Sequence, residues 1–131
     1  MLNSIQNWLS GYLGQVQVDY LDSPTGSLGL FPTGCRVVTE SRDVLGNIRR
    51  KYRCSFVLKR VVSAGVSHFD HAKWLMDFSA WVHGSAAPQL GENTRWYTQN
   101  GRLQKVTKAG SAIYSVELMA EYMSLEKDYE N

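Results

Sequence analysis

From Ile48 to Leu58 the even positions read Ile48, Arg50, Tyr52, Cys54, Phe56 and Leu58, while the odd positions from Arg49 read Arg49, Lys51, Arg53, Ser55, Val57 and Lys59. This period of two, rich in aromatic and β-branched residues, predicts a long strand within Asn47 to Val62 with one buried face. Its wet face carries Arg49, Lys51, Arg53 and Lys59, with Arg50 and Arg60 on the drier side near the ends. A second alternating run, Ile113 to Met123, turns Tyr114, Val116, Leu118, Ala120 and Tyr122 inward and Ser115, Glu117 and Glu121 outward. Helical spacing occurs twice. Leu2, Ile5, Trp8, Leu9, Tyr12 and Leu13 make one apolar stripe, ended by Gly14. Ser67 to His83 carries Phe69, Ala72, Leu75, Met76 and Val82 with Trp74, Phe78 and Trp81. A Ser67–Asp70 capping box opens that helix, and Gly84 with Pro88 beyond it closes it.

The remaining segments join these four. Gln15 to Leu21 alternates as a short strand. Asp22 to Gly34, with two Pro and three Gly, reads as a loop longer than small domains usually carry, in which Leu28, Leu30 and Phe31 are apolar enough to dock. Cys35 to Ser41 is a strand, and Arg42 to Asn47 is the turn into the long strand. Arg95 to Thr98 and Leu103 to Thr107, around Asn100-Gly101, read as a second hairpin, with a further turn at Lys108 to Ser111. The expected fold is α+β in a single domain over 1–131. An antiparallel-rich sheet with a long hairpin is covered on one face by an N-terminal and a central helix.

At 131 residues, 44% apolar and 20% charged, the chain can bury one core. A net charge of +2 is too small to mark a general nucleic-acid binder, although the charge is unevenly spread. No apolar run approaches the roughly 18 residues of a membrane span. The N-terminus shows no secretion signal, so Cys35 and Cys54 are expected as reduced, buried thiols.

Catalytic signals are weak. His68 and His71 share a helix face near its start, but no third ligand follows at helical spacing, and both are expected to be neutral surface residues. Glycine-rich phosphate loops, dinucleotide fingerprints, zinc–cysteine spacings and nucleophile elbows do not occur. The expectation is therefore no enzyme, no metal and no cofactor. The basic positions Arg49, Lys51, Arg53 and Lys59 have a plain reading, a solvated face paired with Glu40 or the C-terminal acids. Their functional reading is an assembly or lumen surface. Trp74, Trp81 and Trp96 are candidate interface aromatics, against core packing as the plain alternative. Trp96 and Tyr97 are adjacent on a strand, so one of the two is expected outside the local core.

With these elements in order, the chain resembles the tail terminator family of long-tailed phages, which includes minor capsid proteins of prophages. The resemblance rests on the amphipathic helix Ser4 to Leu13, the basic strand Ile48 to Val62 and the covering helix Phe69 to Val82. Pro88 to Leu90 and the terminal strand Ile113-Tyr114-Ser115-Val116-Glu117-Leu118, running on to Tyr122, complete it. It spans nearly the whole chain as a pattern of elements and carries over no individual residue. The resemblance implies a six-membered ring that caps the tail tube, ends its polymerisation and receives the head-side neck or stopper connector. DNA passes through such a ring without sequence-specific binding. It implies a location in the virion tail or neck, with assembly in the host cytoplasm and no membrane partner. The alternative is a small nucleic-acid-binding module using the basic strand 49–60, or another phage neck protein.

Overall fold

The computed structural model of the chain describes residues 2–65, 68–108 and 110–126. Helix α1 (Leu2–Leu13) leads into β1 (Gln17–Val18) and β2 (Leu28–Arg42), followed by β3 (Ile48–Ser63). Helix α2 (His68–Gly84), β4 (Glu92–Val106) and β5 (Ser111–Glu126) complete the order. The strands form one sheet, β1-β2-β3-β5-β4, antiparallel except for the two-residue β1–β2 pairing. The fold is α+β, as the alternation of β3 and β5 and the two amphipathic stripes predict. β3 and β5 pair without interruption from Ile48↔Glu126 to Ser63↔Ser111.

One face of the sheet makes the core. Cys54, Phe56 and Leu58 of β3, Val116, Leu118 and Ala120 of β5 and Leu28 and Leu30 of β2 pack against Ile5 and Leu9 of α1 and Phe78 and Val82 of α2. Each large apolar side chain buried in this way contributes about 1.5–3 kcal/mol. The two helices meet through rings: Trp8 stacks on Trp81 at 4.9 Å and Tyr12 on Trp81 at 4.6 Å. The indole N–H groups are satisfied, Trp8 donating to the Ser85 hydroxyl and Trp96 to the Pro88 carbonyl, each at 2.9 Å.

Three expectations are corrected. The long loop of 22–34 is shorter, because β2 already begins at Leu28 and runs through Pro32 and Gly34. Pro32 is tolerated because β1 pairs only with Gly29 and Leu30, leaving the outer edge of β2 without a neighbouring strand at that point. A bulge between Pro32 and Gly34 absorbs the register shift. Leu28 and Leu30 thus dock in the chain's own core. The second hairpin is absent as well. Asn100, at φ 55°, sits in a bulge between Gln99 and Arg102 within the continuous strand β4. Asn-Gly serves left-handed backbone in bulges as readily as in turns, and α2 packs closely here, the Leu75 Cδ1 lying 2.5 Å from where a Gly101 Cβ would be. The β4–β5 turn is the one at 107–111, where the Thr107 amide donates to the Ser111 carbonyl at 2.7 Å.

The third correction concerns the cysteines, which form a Cys35–Cys54 disulfide. Once the bulge at 32–34 is made, the register sets Cys35 directly opposite Cys54, with their Cα atoms 4.0 Å apart. Taking 22–34 as loop hid that pairing. The Ser67 capping box lies outside the described residues.

Gly29 supplies a test of the β1–β2 join. A Cβ there would lie 2.5 Å from the Tyr20 carbonyl oxygen and 2.9 Å from the Phe31 ring. Backbone cannot swing aside as a side-chain tip can, so Gly29→Ala is expected to destabilise the fold by roughly 1–3 kcal/mol. Urea denaturation measures this, and an unchanged midpoint would contradict the close approach.

Candidate functional site: an open basic sheet face and its arm

Among the described residues, no helix covers the second face of the sheet. Register and alternation place Arg36 of β2, Arg49, Lys51, Arg53 and Lys59 of β3, and Arg95, Arg102 and Lys105 of β4 on it. The carboxylates on the same face are Glu92, Glu117 and Glu121. Eight cations thus face three carboxylates here among the described residues. A near-neutral total conceals a local excess of positive charge on this face. Strand β5, between β3 and β4, is nonetheless buried on this open face at Ser115, Met119 and Glu121. Long side chains rooted on β3 and β4 lie over β5 and shield it, their charged ends still reaching water.

Glu121 is the centre of that shield. Its side chain is only 6% exposed and receives Arg53 Nε at 2.9 Å, the Tyr97 hydroxyl at 2.8 Å and Lys51 Nζ at 3.2 Å, with Arg95 Nη2 at 3.7 Å. Burial alone would raise its pKa, but the hydrogen bonds from Tyr97, Arg53 and Lys51 outweigh it and hold the carboxyl down at about 2. Burial, and then donation to Glu121, push the Tyr97 phenol up. Further along β5, side-chain amides of Gln99 and Asn100 donate to Glu117 at 2.8 Å each and lower its pKa.

The four basic positions expected on one face are there together, but their surroundings differ. Lys51 and Arg53 are bound to Glu121, and Arg50, on the other face, pairs with Glu40 at 3.5 Å. Of the four, Lys51 and Arg53 thus pair with an acid of the last strand, while Glu40 pairs with Arg50, which is not one of them. Arg49 is exposed, and Lys59 lies over the Phe31 ring at 5.0 Å. Arg36, Arg95, Arg102 and Lys105 escape sequence reading because bulges in β2 and β4 break the period of two. Trp96 is corrected from candidate interface to core, packed between Trp8 and Phe56. Tyr97 is the ring outside the local core. Trp74 and Trp81 are half-buried against the same core, Trp74 carrying the Arg60 guanidinium at 4.2 Å.

His71 is not a surface residue. It is buried, and Arg60 Nη2 approaches its Nδ1 at 2.9 Å; since guanidinium only donates, the imidazole accepts there. Burial lowers the Arg60 pKa. No group of three His, Cys, Asp or Glu suited to a metal ion occurs among the described residues, and no described helix is long and apolar enough to cross a membrane.

Beyond the disulfide, β2 and β3 run on to their turn as an arm, exposed along β2 from Pro32 and backed along β3 by β5 as far as Ile48↔Glu126. Its turn is held by Asp43, whose Oδ1 accepts from the Leu45 and Asn47 amides at 2.9 and 3.0 Å and whose Oδ2 accepts from Asn47 Nδ2 at 3.0 Å. Hydrogen bonds from Asn47 accordingly lower the Asp43 pKa. The turn presents two apolar side chains to solvent, Val44 fully and Leu45 at 82% exposure.

Compared with known proteins, the chain matches no protein-family model and no curated protein.

Glu121 makes stability pH-dependent in a defined direction. Its folded pKa lies below the unfolded value of 4.5, so its contribution is complete above that value and is lost as pH falls toward 2. Glu121→Gln leaves three cations without their shared counter-charge and is expected to cost roughly 1–3 kcal/mol at neutral pH. In urea denaturation at a series of pH values, the gap between variant and wild type should narrow below pH about 4. A gap independent of pH would mean the carboxylate charge contributes nothing.

Proposed function

We propose that the chain is a structural ring subunit of the tail-terminator kind, seated at the head-proximal end of a tail tube. In that role it ends tube polymerisation and gives the neck connector its joining surface. The observation that carries this reading is the division of labour between the two sheet faces. Helices and core occupy one, and the other is an uncovered, basic surface continuous with a projecting arm. A ring around passing DNA needs a face that tolerates phosphate and separate faces that bind neighbours. Lys51 and Arg53 share the single Glu121 carboxylate within the subunit, which offsets part of the positive potential such a face would offer a duplex. Its partners are further copies of itself, the tube protein and the connector, with DNA held by no sequence-specific contact. This reading involves no reaction and no cofactor.

Assembled particles test it. Loss of the protein should give tails of irregular excess length or tails that do not join heads. Because Lys51 and Arg53 hold Glu121, replacing them would test folding. Arg36, Arg49 and Arg102 are the better choices, and changing all three to Gln should leave the monomer folded while impairing joined particles. Normal tails in the deletion strain would sink the reading.

A second reading, a nucleic-acid-binding module, is favoured by the excess of five cations on the open face. If those five met phosphates, affinity for duplex DNA would fall about 500-fold between 50 and 200 mM salt. Absence of binding by the isolated chain at the lower salt removes this reading.

A further inference from the structure

On the helix side of the sheet, away from the basic face, Arg60 occupies a place where a cation has no opposite charge to meet. Its guanidinium lies over the Trp74 ring at 4.2 Å and donates through Nη2 to the buried His71 Nδ1 at 2.9 Å, while Nε is buried without a hydrogen-bond partner. No carboxylate among the described residues forms an ion pair with it, and burial lowers its pKa. The His71 ring is in turn set against Tyr114, their centroids 3.5 Å apart. Indole and imidazole thus hold the guanidinium in place without neutralising it. Desolvated cations are ordinarily matched by a counter-charge, and here the described chain supplies none.

Arg60 lines a cleft of about 330 Å³ between the end of α1 and α2. Leu13, Leu28 and Trp74 give it apolar walls, and Thr25 stands at it from the loop before β2. That loop is pinned to β3, Gly26 donating to the Val61 carbonyl at 2.8 Å and Val61 to the Ser27 carbonyl at 3.0 Å, so the wall is formed before any ligand arrives. We infer that this cleft binds a small organic anion, a carboxylate on a compact apolar body, with the charge on Arg60 and the body against Leu13, Leu28 and Trp74. The planar fork of a guanidinium suits a carboxylate, and the apolar walls favour one with an apolar substituent over inorganic phosphate. The volume is near the lower bound of ligand pockets, roughly 300 Å³, which limits the body to the size of a phenyl group. A free acid and the C-terminal end of a peptide both carry this chemistry. The site does not rest on the ring reading, since it lies on the opposite side of the sheet from the basic surface.

The test titrates the full-length chain with phenylacetate to millimolar concentration and reads its NMR signals, the Trp74 indole N–H being assigned with Trp74→Phe. Saturable shifts at Trp74, Leu13 and Thr25 are expected, with the neutral phenylethanol and inorganic phosphate each binding roughly tenfold more weakly or worse. An acetylated peptide ending in Phe carries the same carboxylate and ring. Tighter binding of the peptide than of phenylacetate would make the source a peptide end, and weaker binding a free acid. Arg60→Gln should lose roughly tenfold or more in affinity. Because that change also removes the His71 contact, Thr25→Glu on the exposed loop is the deciding variant. It offers the guanidinium a carboxylate of the chain's own and should weaken phenylacetate binding by a similar factor in a chain whose amide spectrum stays folded. Absence of saturable shifts, equal binding of the acid and either control, or unchanged affinity in Thr25→Glu overturns the inference. Particle morphology tests the proposed function separately, so either can fail alone.

Discussion

The uninterrupted pairing of β3 with β5 constrains everything else in the molecule. Sixteen residues of each strand stay in register, so every residue has its face assigned by alternation alone. Cys54, Phe56, Leu58, Val116, Leu118 and Ala120 fall on one side, which obliges both helices to pack there. The opposite face then receives Arg53, Lys51 and Glu121 by the same parity. A slip of one residue would drive Glu121 into the core and the aliphatic set into water, a change too costly for the fold to survive.

How a carboxylate comes to be buried on a face without a covering layer follows from the same geometry. Glu121 lies on β5, between β3 and β4, where neighbours on both sides are long and basic. Tyr97 and Arg95 from β4 and Arg53 and Lys51 from β3 close over it, Arg95 also lying 4.9 Å from the Tyr97 ring centroid. A few long side chains here act as a partial third layer. The charge excess therefore sits above a satisfied anchor and is less mobile than independent surface lysines would be.

Legibility in the sequence followed regularity. β3, β5, α1 and α2 show clean periods, and their placement, faces and fold class could be read directly. The four basic residues were rightly placed on one face of β3 for the same reason. β2 and β4 carry bulges at Pro32/Gly34, Val37/Thr39, Glu92/Arg95, Gln99/Arg102 and Leu103/Lys105, and each bulge shifts the parity by one. Breaker residues in them then imitate loop and turn signals, which is why Pro32 and Asn100-Gly101 misled. The Glu121 cluster was out of reach because it joins three strands, and adjacency of β4 to β5 opposite β3 is not encoded by any local pattern. Burial of His71 depended likewise on Arg60 and Tyr114 from other strands, its ring centroid 3.5 Å from that of Tyr114.

The Cys35–Cys54 link stands where the helix-covered body gives way to the arm. Strands without a packed layer open from their free end more readily than core strands do. Beyond it β3 stays paired with β5, so the strand free to fray is the outer one, β2, and a covalent rung at that boundary stops its opening from propagating into the core. Amide protection along β2 would then fall in a step beyond residue 35. In a strongly reducing medium the step would blur, and the reach of the arm would become less sharply defined while the body kept its shape.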